Sequence, residues 1–380
     1  MTESPRRVFL LRCGAALALA TLGACAQPAH DRAGPELVYV GSQDRQLHAL
    51  RFDPASGALA ALGAVAAGPR LTWTVAHPRL PVLYAVDDDS AREGSVIAYA
   101  VERASGRLTR IGAAASGGKG TTYLWLDAPS MTLLAANFGS GSVSSIRLGA
   151  DGMPDRLVST VSETGSGPHR RQASAHAHSV AIDPSGRYAL VPDLGADRVF
   201  VYGFERATGA LAPAATQAYA VPPGSGPRHL VFGLDGRFVY LLNELSAQLT
   251  VLRWNAQTGH LAPLQSLATV DADFKGTPSG AEIALGADGR YVYVAERGAN
   301  TLSVYQVDPD SGTLALVQRT ASGGAAPWSF ALHPSGRWLL VANQRSGSVN
   351  LFAIDPASGR LTDTGRAVEL PAPVSLSFVR

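Results

Sequence analysis

A short turn sequence that recurs about every fifty residues restricts the folds open to this 380-residue chain. In most copies a glycine stands two residues before a leucine, and successive copies are 46 to 57 residues apart. The weakest copy is Gly152, whose leucine is displaced to Leu157. The seven glycines are Gly57, Gly106, Gly152, Gly209, Gly259, Gly312 and Gly359. A second turn, in which arginine follows the glycine, precedes the first in the last four copies, at Gly186, Gly236, Gly289 and Gly336.

The runs between these turns predict β-strands. They are short, rich in β-branched and aromatic residues, and bounded by glycine, proline or aspartate, as at 179–183, 187–191 and 198–202. No amphipathic helical pattern follows the first thirty residues. Each copy therefore predicts four short antiparallel strands. Seven such units predict an all-β fold, a seven-bladed β-propeller.

The two ends of the repeat predict how the ring closes. The first unit begins at Leu37 without its leading strand, whereas residues 374–379 form a strand-like run that belongs to no unit. We expect this C-terminal strand to complete the first blade, because closure protects strand edges that would otherwise be exposed. The propeller is thus predicted over residues 37–380. A ring of small units also suits a chain too long for one hydrophobic core.

The first 25 residues are predicted to be an export signal. Arg6 and Arg7 resemble a twin-arginine motif, and the apolar run at 14–20 is too short to span a bilayer. The run LGAC at 22–25 resembles a bacterial lipobox, in which Cys25 becomes the lipidated first residue. The alternative is an ordinary cleaved signal with an incidental cysteine. Residues 26–36 are expected to be a flexible tether. The export signal and the lipobox together predict a protein on the periplasmic side of the cell envelope, lipid-anchored to a membrane.

Composition limits the partners of the domain. A net charge of +2 with 16% charged residues leaves no broad basic face, so we expect no nucleic-acid partner. The only other cysteine, Cys13, lies in the signal, so the mature domain has no thiol for a disulfide, nucleophilic catalysis or a soft metal site. We expect a monomer that contacts the membrane only through its lipid anchor.

Reactive side chains are concentrated in one set of loops. In a four-stranded blade the two glycine turns lie on one face and the other connections lie on the opposite face. Reactive residues at the start of inner strands are His176, His178, Arg228, His229 and Trp328; those after second strands are Asp87, Asp88, Asp89, Asn137, Asp193, Glu244, Arg297 and Asn343. This segregation predicts a functional pocket at one mouth of the central channel, on loops held by a rigid scaffold.

Several of these loops resemble those of the propeller lactonases. The resembling runs are RQASAHAHSV (171–180), VPDLGADRV (191–199), GSGPRHLVF (224–232), LNEL (242–245), AEI (281–283), AERG (295–298) and VANQ (341–344). That family includes propeller-type 6-phosphogluconolactonases and fungal carboxymuconate-lactonising enzymes. The resemblance covers residues 37–380 and implies an active site of four residues, His178, Arg228, Glu244 and Arg297. The sequence departs from the family pattern at VDDD (86–89), where Asn-Glu is usual, and at NF (137–138), where Asn-Tyr is usual.

The four residues suit the hydrolysis of a lactone. That reaction needs a base for water, stabilisation of an oxyanion and a proton for the leaving alkoxide. Glu244 or His178 could be the base, and the two arginines could stabilise negative charge. Equally, Glu244 could form a structural ion pair with an arginine, and His178 could be a histidine hydrogen-bonded at a strand start. His229 is expected to point away from Arg228 across the strand and to support it.

Other residues are weaker candidates. We expect substrate contacts from His176, Asp193, His229, Asn137 and Asn343, although a structural role is favoured for His176. The acidic cluster at 87–89 could ligate Ca²⁺ through carboxylate oxygens, but no regular ligand spacing surrounds it, so a solvated loop is favoured. We expect no metal and no other cofactor. The basic run at 169–171 is interpreted as a loop surface, or else as an anion contact at the rim.

Three functions are compatible with the sequence. The first is metal-independent hydrolysis of a small-molecule sugar lactone, as in 6-phosphogluconolactonase. The second is a muconate-type lactonising enzyme, a cycloisomerase with the same arginine-rich pocket. The third is a non-catalytic, membrane-anchored propeller that binds a ligand or a protein. Propellers support many functions, so the fold does not choose among them. The grouping of charged residues favours an enzyme, because a scaffold gains little from buried charges.

Overall fold

The computed structural model describes residues 34–213 and 218–379, which form seven antiparallel sheets of a β-propeller. The prediction of an all-β, seven-bladed fold is confirmed. The export signal, the lipobox with Cys25 and residues 26–33 of the tether lie outside the described residues. Within the described ranges, no helix is long and apolar enough to cross a membrane.

Six blades are four-stranded meanders, and blade four has one additional short strand at its outer edge. The strands of each blade are given from the channel outward. Blade one contains β29 (Pro373–Val379), β1 (Glu36–Ser42), β2 (Gln46–Asp53) and β3 (Ala58–Ala67). Blade two contains β4 (Thr74–Ala76), β5 (Val82–Val86), β6 (Glu93–Val101) and β7 (Leu108–Lys119). Blade three contains β8 (Thr121–Asp127), β9 (Thr132–Asn137), β10 (Ser142–Leu148) and β11 (Pro154–Ser162). Blade four contains β12 (Ala181–Ile182), β13 (Tyr188–Asp193) and β14 (Arg198–Glu205), with β15 (Ala210–Pro213) and β16 (Tyr219–Ala220) both on the outer edge.

The last three blades follow the same order. Blade five contains β17 (Pro227–Phe232), β18 (Phe238–Asn243), β19 (Gln248–Asn255) and β20 (His260–Ala268). Blade six contains β21 (Gly280–Leu285), β22 (Tyr291–Glu296), β23 (Thr301–Val307) and β24 (Leu314–Ala321). Blade seven contains β25 (Pro327–Leu332), β26 (Trp338–Asn343), β27 (Ser348–Ile354) and β28 (Leu361–Glu369).

The C-terminal strand closes the ring, as predicted. Strand β29 pairs antiparallel with β1, so that Leu37 lies opposite Val379 and Val40 lies opposite Leu376. The predicted start of the domain at Leu37 is one residue late, because Glu36 already pairs with Phe52 in the ladder between β1 and β2. The expected tether therefore loses its last residue to the first blade.

The core lies between the blades. Seven hydrophobic clusters each join two neighbouring sheets, and together they continue around the ring. In β1, Tyr39 packs towards blade two, whereas Val38 and Val40 pack towards blade seven. Successive side chains of a strand point to opposite faces, so a strand buried on both faces is apolar throughout. The second strands of the blades, such as β5 and β18, are accordingly almost wholly apolar.

The repeated glycines hold the turns on one face of the ring. All eleven glycines of the two predicted turns have φ between 68° and 79°, a left-handed conformation that side chains with a Cβ disfavour. They lie between the first and second or the third and fourth strands of their blades. The remaining connections are therefore free to carry other residues on the opposite face.

Candidate active site

A cavity of about 770 Å³ opens on the face opposite the glycine turns. Five blades and the loop that precedes blade four contribute to its wall. It contains three of the four residues implied by the family resemblance, His178, Glu244 and Arg297. The fourth, Arg228, lines a smaller cavity of about 30 Å³ that shares His178 with the larger one. The structure thus brings the four predicted residues together.

A β-bulge at the start of the inner strand turns Arg228 towards the channel. In blade five Pro227 lies opposite Asn243 and His229 lies opposite Leu242, which leaves Arg228 as the extra residue. The same irregularity in blade seven leaves Trp328 unpaired in the ladder. A bulge re-aims a side chain without ending the strand, and here it supplies two residues that border the cavities.

Glu244 is the centre of the charged group. Its Oε1 lies 2.9 Å from Nη2 of Arg297, and its Oε2 lies 3.1 Å from Nε of Arg228. A third guanidinium, that of Arg171, donates a hydrogen bond to Oε1. The main chain of Glu244 is also held, because its N–H donates to the carbonyl of Gly226 in the same blade. The carboxylate is therefore enclosed by cations on a fixed backbone.

The ion pairs set the charge state of this group. Burial opposes ionisation of Glu244, but Arg297, Arg228 and Arg171 outweigh it and lower the pKa of the carboxyl to about 2. Burial and repulsion from Arg297 lower the pKa of Arg228 to about 10. Both residues stay charged at neutral pH. A carboxylate with so low a pKa accepts a proton poorly, so Glu244 suits the role of counter-ion better than that of base.

His178 is the better placed proton acceptor. Its Nε2 lies 3.6 Å from Oε2 of Glu244, and its buried Nδ1 has no hydrogen-bond partner among the described residues. Burial lowers the pKa of His178 well below the usual value, and the charge of Arg228 lowers it further. The imidazole is thus neutral at neutral pH. With its proton on Nε2, facing the carboxylate, it leaves Nδ1 free to accept a proton.

Two stacked pairs form part of the cavity wall. The rings of His176 and Phe138 lie 4.5 Å apart and nearly parallel, and Nδ1 of His176 donates to the carbonyl of Phe138 at 2.8 Å. The guanidinium of Arg297 lies 4.4 Å from the ring centroid of Trp328, within the range of a cation–π interaction. His176 therefore both lines the cavity and has a structural partner.

The expectation that His229 points away from Arg228 is wrong. Because of the bulge, Nη1 of Arg228 lies 3.3 Å from the His229 ring, and both side chains border the smaller cavity. Nδ1 of His229 lies 2.6 Å from Oε1 of Glu282, and its ring packs against those of Tyr123 and Trp73. His229 thus contacts Arg228 directly, and it is held by a carboxylate from the next blade.

Three predicted substrate-binding residues do not line either cavity. Asn137 and Asn343 end the second strands of their blades, where each amide donates to a carbonyl at the outer edge of the preceding blade, that of Ser116 or Ser322. Asp193 accepts the N–H of Ala196 and lies against a second buried carboxyl group. Their hydrogen bonds support a structural role, in which they shape the loops that carry the neighbouring cavity residues.

Comparison with known proteins identifies the family. The family described as "Lactonase, 7-bladed beta-propeller" matches residues 37–378. This chain belongs to that family. It is 31% identical to a 6-phosphogluconolactonase of Bacillus subtilis over 68% of this chain and 73% of the relative. A 6-phosphogluconolactonase of Cronobacter sakazakii is 30% identical, over 74% and 80% of the two chains. The structure of a periplasmic gluconolactonase from Pseudomonas aeruginosa is 36% identical, with a TM-score of 0.85, and covers 91% of this chain and 99% of its own.

At the level of the family, the chain is a 6-phosphogluconolactonase-like lactone hydrolase.

Two residues of this lactonase that were not predicted as site residues contact residues that were predicted. Arg171, from the basic run, reaches Glu244 across the blade boundary, and Glu282 holds His229. For Arg171, the sequence signal was the basic run at 169–171, which was interpreted as a loop surface or as an anion contact. For Glu282, the signal was its position in the AEI run at 281–283. Neither run shows which carboxylate or histidine its residue would meet.

The acidic loop of the lactonase separates into two kinds of carboxylate. Arg92 pairs with Asp87 at 2.5 Å and with Asp89 at 3.2 Å, whereas Asp88 lines both cavities. Among the described residues, no group of three or more histidine, cysteine or acidic side chains is placed to hold a metal ion. Ion pairs with Arg92 therefore hold two of the three carboxylates of this loop.

Proposed function

We propose that this lactonase hydrolyses a sugar lactone without a metal ion, in the cavity between His178 and the arginines. The observation that carries the proposal is a neutral imidazole with an unpartnered nitrogen beside two guanidinium groups. A base and a fixed positive charge are two of the three elements that hydrolysis of a lactone by water requires, the third being a proton for the leaving oxygen.

In this mechanism, Nδ1 of His178 takes a proton from water as the water oxygen attacks the lactone carbonyl carbon. The carbonyl oxygen becomes an oxyanion beside Arg228 and Arg297, whose forked donors stabilise the charge. The ring C–O bond then breaks, and its oxygen leaves as a hydroxyl after it gains a proton. Glu244 keeps the guanidinium groups close together, because without a counter-ion their like charges repel one another.

We expect unphosphorylated sugar lactones to be hydrolysed at least as well as 6-phosphogluconolactone. Export would separate the protein from phosphorylated lactones, which arise in the cytosol, whereas free aldonolactones can form outside it. The similarity to a periplasmic gluconolactonase supports this choice and the proposed periplasmic, lipid-anchored location. The relatives described above give no support to a lactonising enzyme or a purely binding propeller.

A lactone panel tests the proposal. Purified protein is assayed with glucono-1,5-lactone and 6-phosphogluconolactone, with and without a chelator, in comparison with His178→Asn. We expect hydrolysis of the unphosphorylated lactone that the chelator does not alter, and a loss of about 10²–10⁴-fold in the variant, as for removal of a general base. Equal rates for wild type and variant would overturn the role of His178. A strong preference for the phosphorylated lactone would overturn the substrate choice.

A further inference from the structure

Asp88 lines the same small cavity as His178 and Arg228. All three residues line the cavity of about 30 Å³, which has room for about one or two water molecules. Asp88 and His178 also both line the larger cavity above it. They come from different blades, two and four, so the ring itself brings an acid and a base to one space.

The environment of Asp88 differs from that of its neighbours in the sequence. Asp87 and Asp89 are both paired with Arg92, but the described residues place no cation within ion-pairing distance of Asp88. The hydroxyl of Thr72 donates to Oδ2 of Asp88 at 3.1 Å. The other oxygen, Oδ1, has no hydrogen-bond partner among the described residues and is not enclosed by protein. Asp88 therefore presents a carboxyl oxygen that can interact with a ligand.

The pKa of Asp88 is shifted in the opposite direction to that of Glu244. Burial raises its pKa to about 6, and the charges of Asp87 and Asp89 act in the same direction. Arg70 and the Thr72 hydroxyl act against that rise. The other polar or charged side chains around the small cavity are Gln43, Thr122, His178, Arg228 and His229. An active site often holds two titratable groups whose environments move their pKa values apart, one as acid and one as base.

We propose that Asp88 is the catalytic acid, which protonates the ring oxygen as it leaves the tetrahedral intermediate. The proposal rests on the function proposed above. As the C–O bond breaks, its electron pair stays on the ring oxygen, which takes the carboxyl proton and becomes the product hydroxyl. Asp88 is left as a carboxylate and His178 as an imidazolium, and transfer of that proton through water restores both. The sum is one lactone and one water converted to one hydroxy acid.

The leaving group supplies a direct test. A phenoxide leaves without a proton far more readily than an alkoxide, so an aryl lactone such as dihydrocoumarin has little need of an acid. In Asp88→Asn we expect kcat/KM for glucono-1,5-lactone to fall by about 10²-fold or more. The fall for dihydrocoumarin should be less than about tenfold. The matched control, Asp89→Asn, makes the same chemical change one residue away and should lower the rate for glucono-1,5-lactone far less than Asp88→Asn does, since it removes only a distant charge that raises the pKa of Asp88. An equal fall for both lactones in Asp88→Asn would overturn the proposal, because loss of folding or of binding affects both.

The pH dependence of kcat/KM for glucono-1,5-lactone gives a second test of the role of Asp88. A carboxyl that must be protonated makes kcat/KM fall as pH rises above about 6. Asp88→Asn should remove this alkaline limb. Thr72→Val, which removes a hydrogen bond that lowers the pKa, should move the limb to higher pH. A limb unchanged in both variants would overturn the role of Asp88 and leave lactone hydrolysis standing. If wild type hydrolyses no lactone, it is the proposed function that fails.

Discussion

Replacing Glu244 with glutamine separates the role of counter-ion from the role of base. Glutamine keeps the size of the side chain but removes its charge, which leaves Arg171, Arg228 and Arg297 without the carboxylate that they share. Arg228 is only 1% exposed, so water cannot replace the missing partner. We therefore expect a large loss of stability as well as a loss of activity.

The size of that loss follows from the pKa of Glu244. A fall from 4.5 to about 2 on folding is worth about 3 kcal/mol at neutral pH. Breaking a buried ion pair by removing one partner typically costs about 3–5 kcal/mol, which agrees in magnitude. Because the folded-state pKa is lowered, this contribution is fully present above the unfolded pKa of about 4.5 and is lost as pH falls towards 2.

Urea unfolding of wild type and Glu244→Gln at pH 7 and pH 3 measures how much the Glu244 carboxylate contributes to the free energy of unfolding. We expect the free energy of unfolding to differ by about 3 kcal/mol at pH 7 and by about 1 to 2 kcal/mol at pH 3. Asp89→Asn, which removes a half-buried carboxylate from a surface ion pair, is a control that should change stability little. If Glu244→Gln matches wild type at pH 7, the carboxylate does not hold the arginines and the reasoning fails.

Three further predictions concern the site, the ring and the anchor. Arg228→Lys should lower kcat/KM by about 10²-fold, because an ammonium cannot contact Glu244 and the carbonyl of Ala281 together as the guanidinium does; wild-type kinetics would contradict this. Deletion of residues 371–380 should lower the unfolding midpoint of the whole domain, since three buried apolar residues of β29 contribute roughly 1.5–3 kcal/mol each; an unchanged midpoint would exclude a closing role. Cys25→Ser should move the protein from the membrane fraction to the soluble fraction, and a variant that stays membrane-bound would refute the lipobox.

The sequence was sufficient to predict the ring and the face that carries the cavity. Turn glycines act locally, because a left-handed backbone is available to glycine without strain, and their spacing counts the blades. The closure was predicted from a leading strand missing at Leu37 and a surplus strand at 374–379, because pairing the two protects edges that would otherwise be exposed. Once the turns were assigned to one face, His178, Arg228, Glu244 and Arg297 had to lie on the other.

Only the tertiary structure decided which of those side chains meet. A strand pattern of period two predicted that Arg228 and His229 diverge, but a bulge turns both to the channel, and a bulge has no reliable signal in this sequence. Arg171 reaches Glu244 across 73 residues of chain, and Asp88 reaches the space around His178 from two blades away. These contacts depend on how far each blade is rotated around the axis, and that rotation is set by packing between sheets. Local residue preferences determine where the chain turns, whereas the packed ring determines what each turn faces.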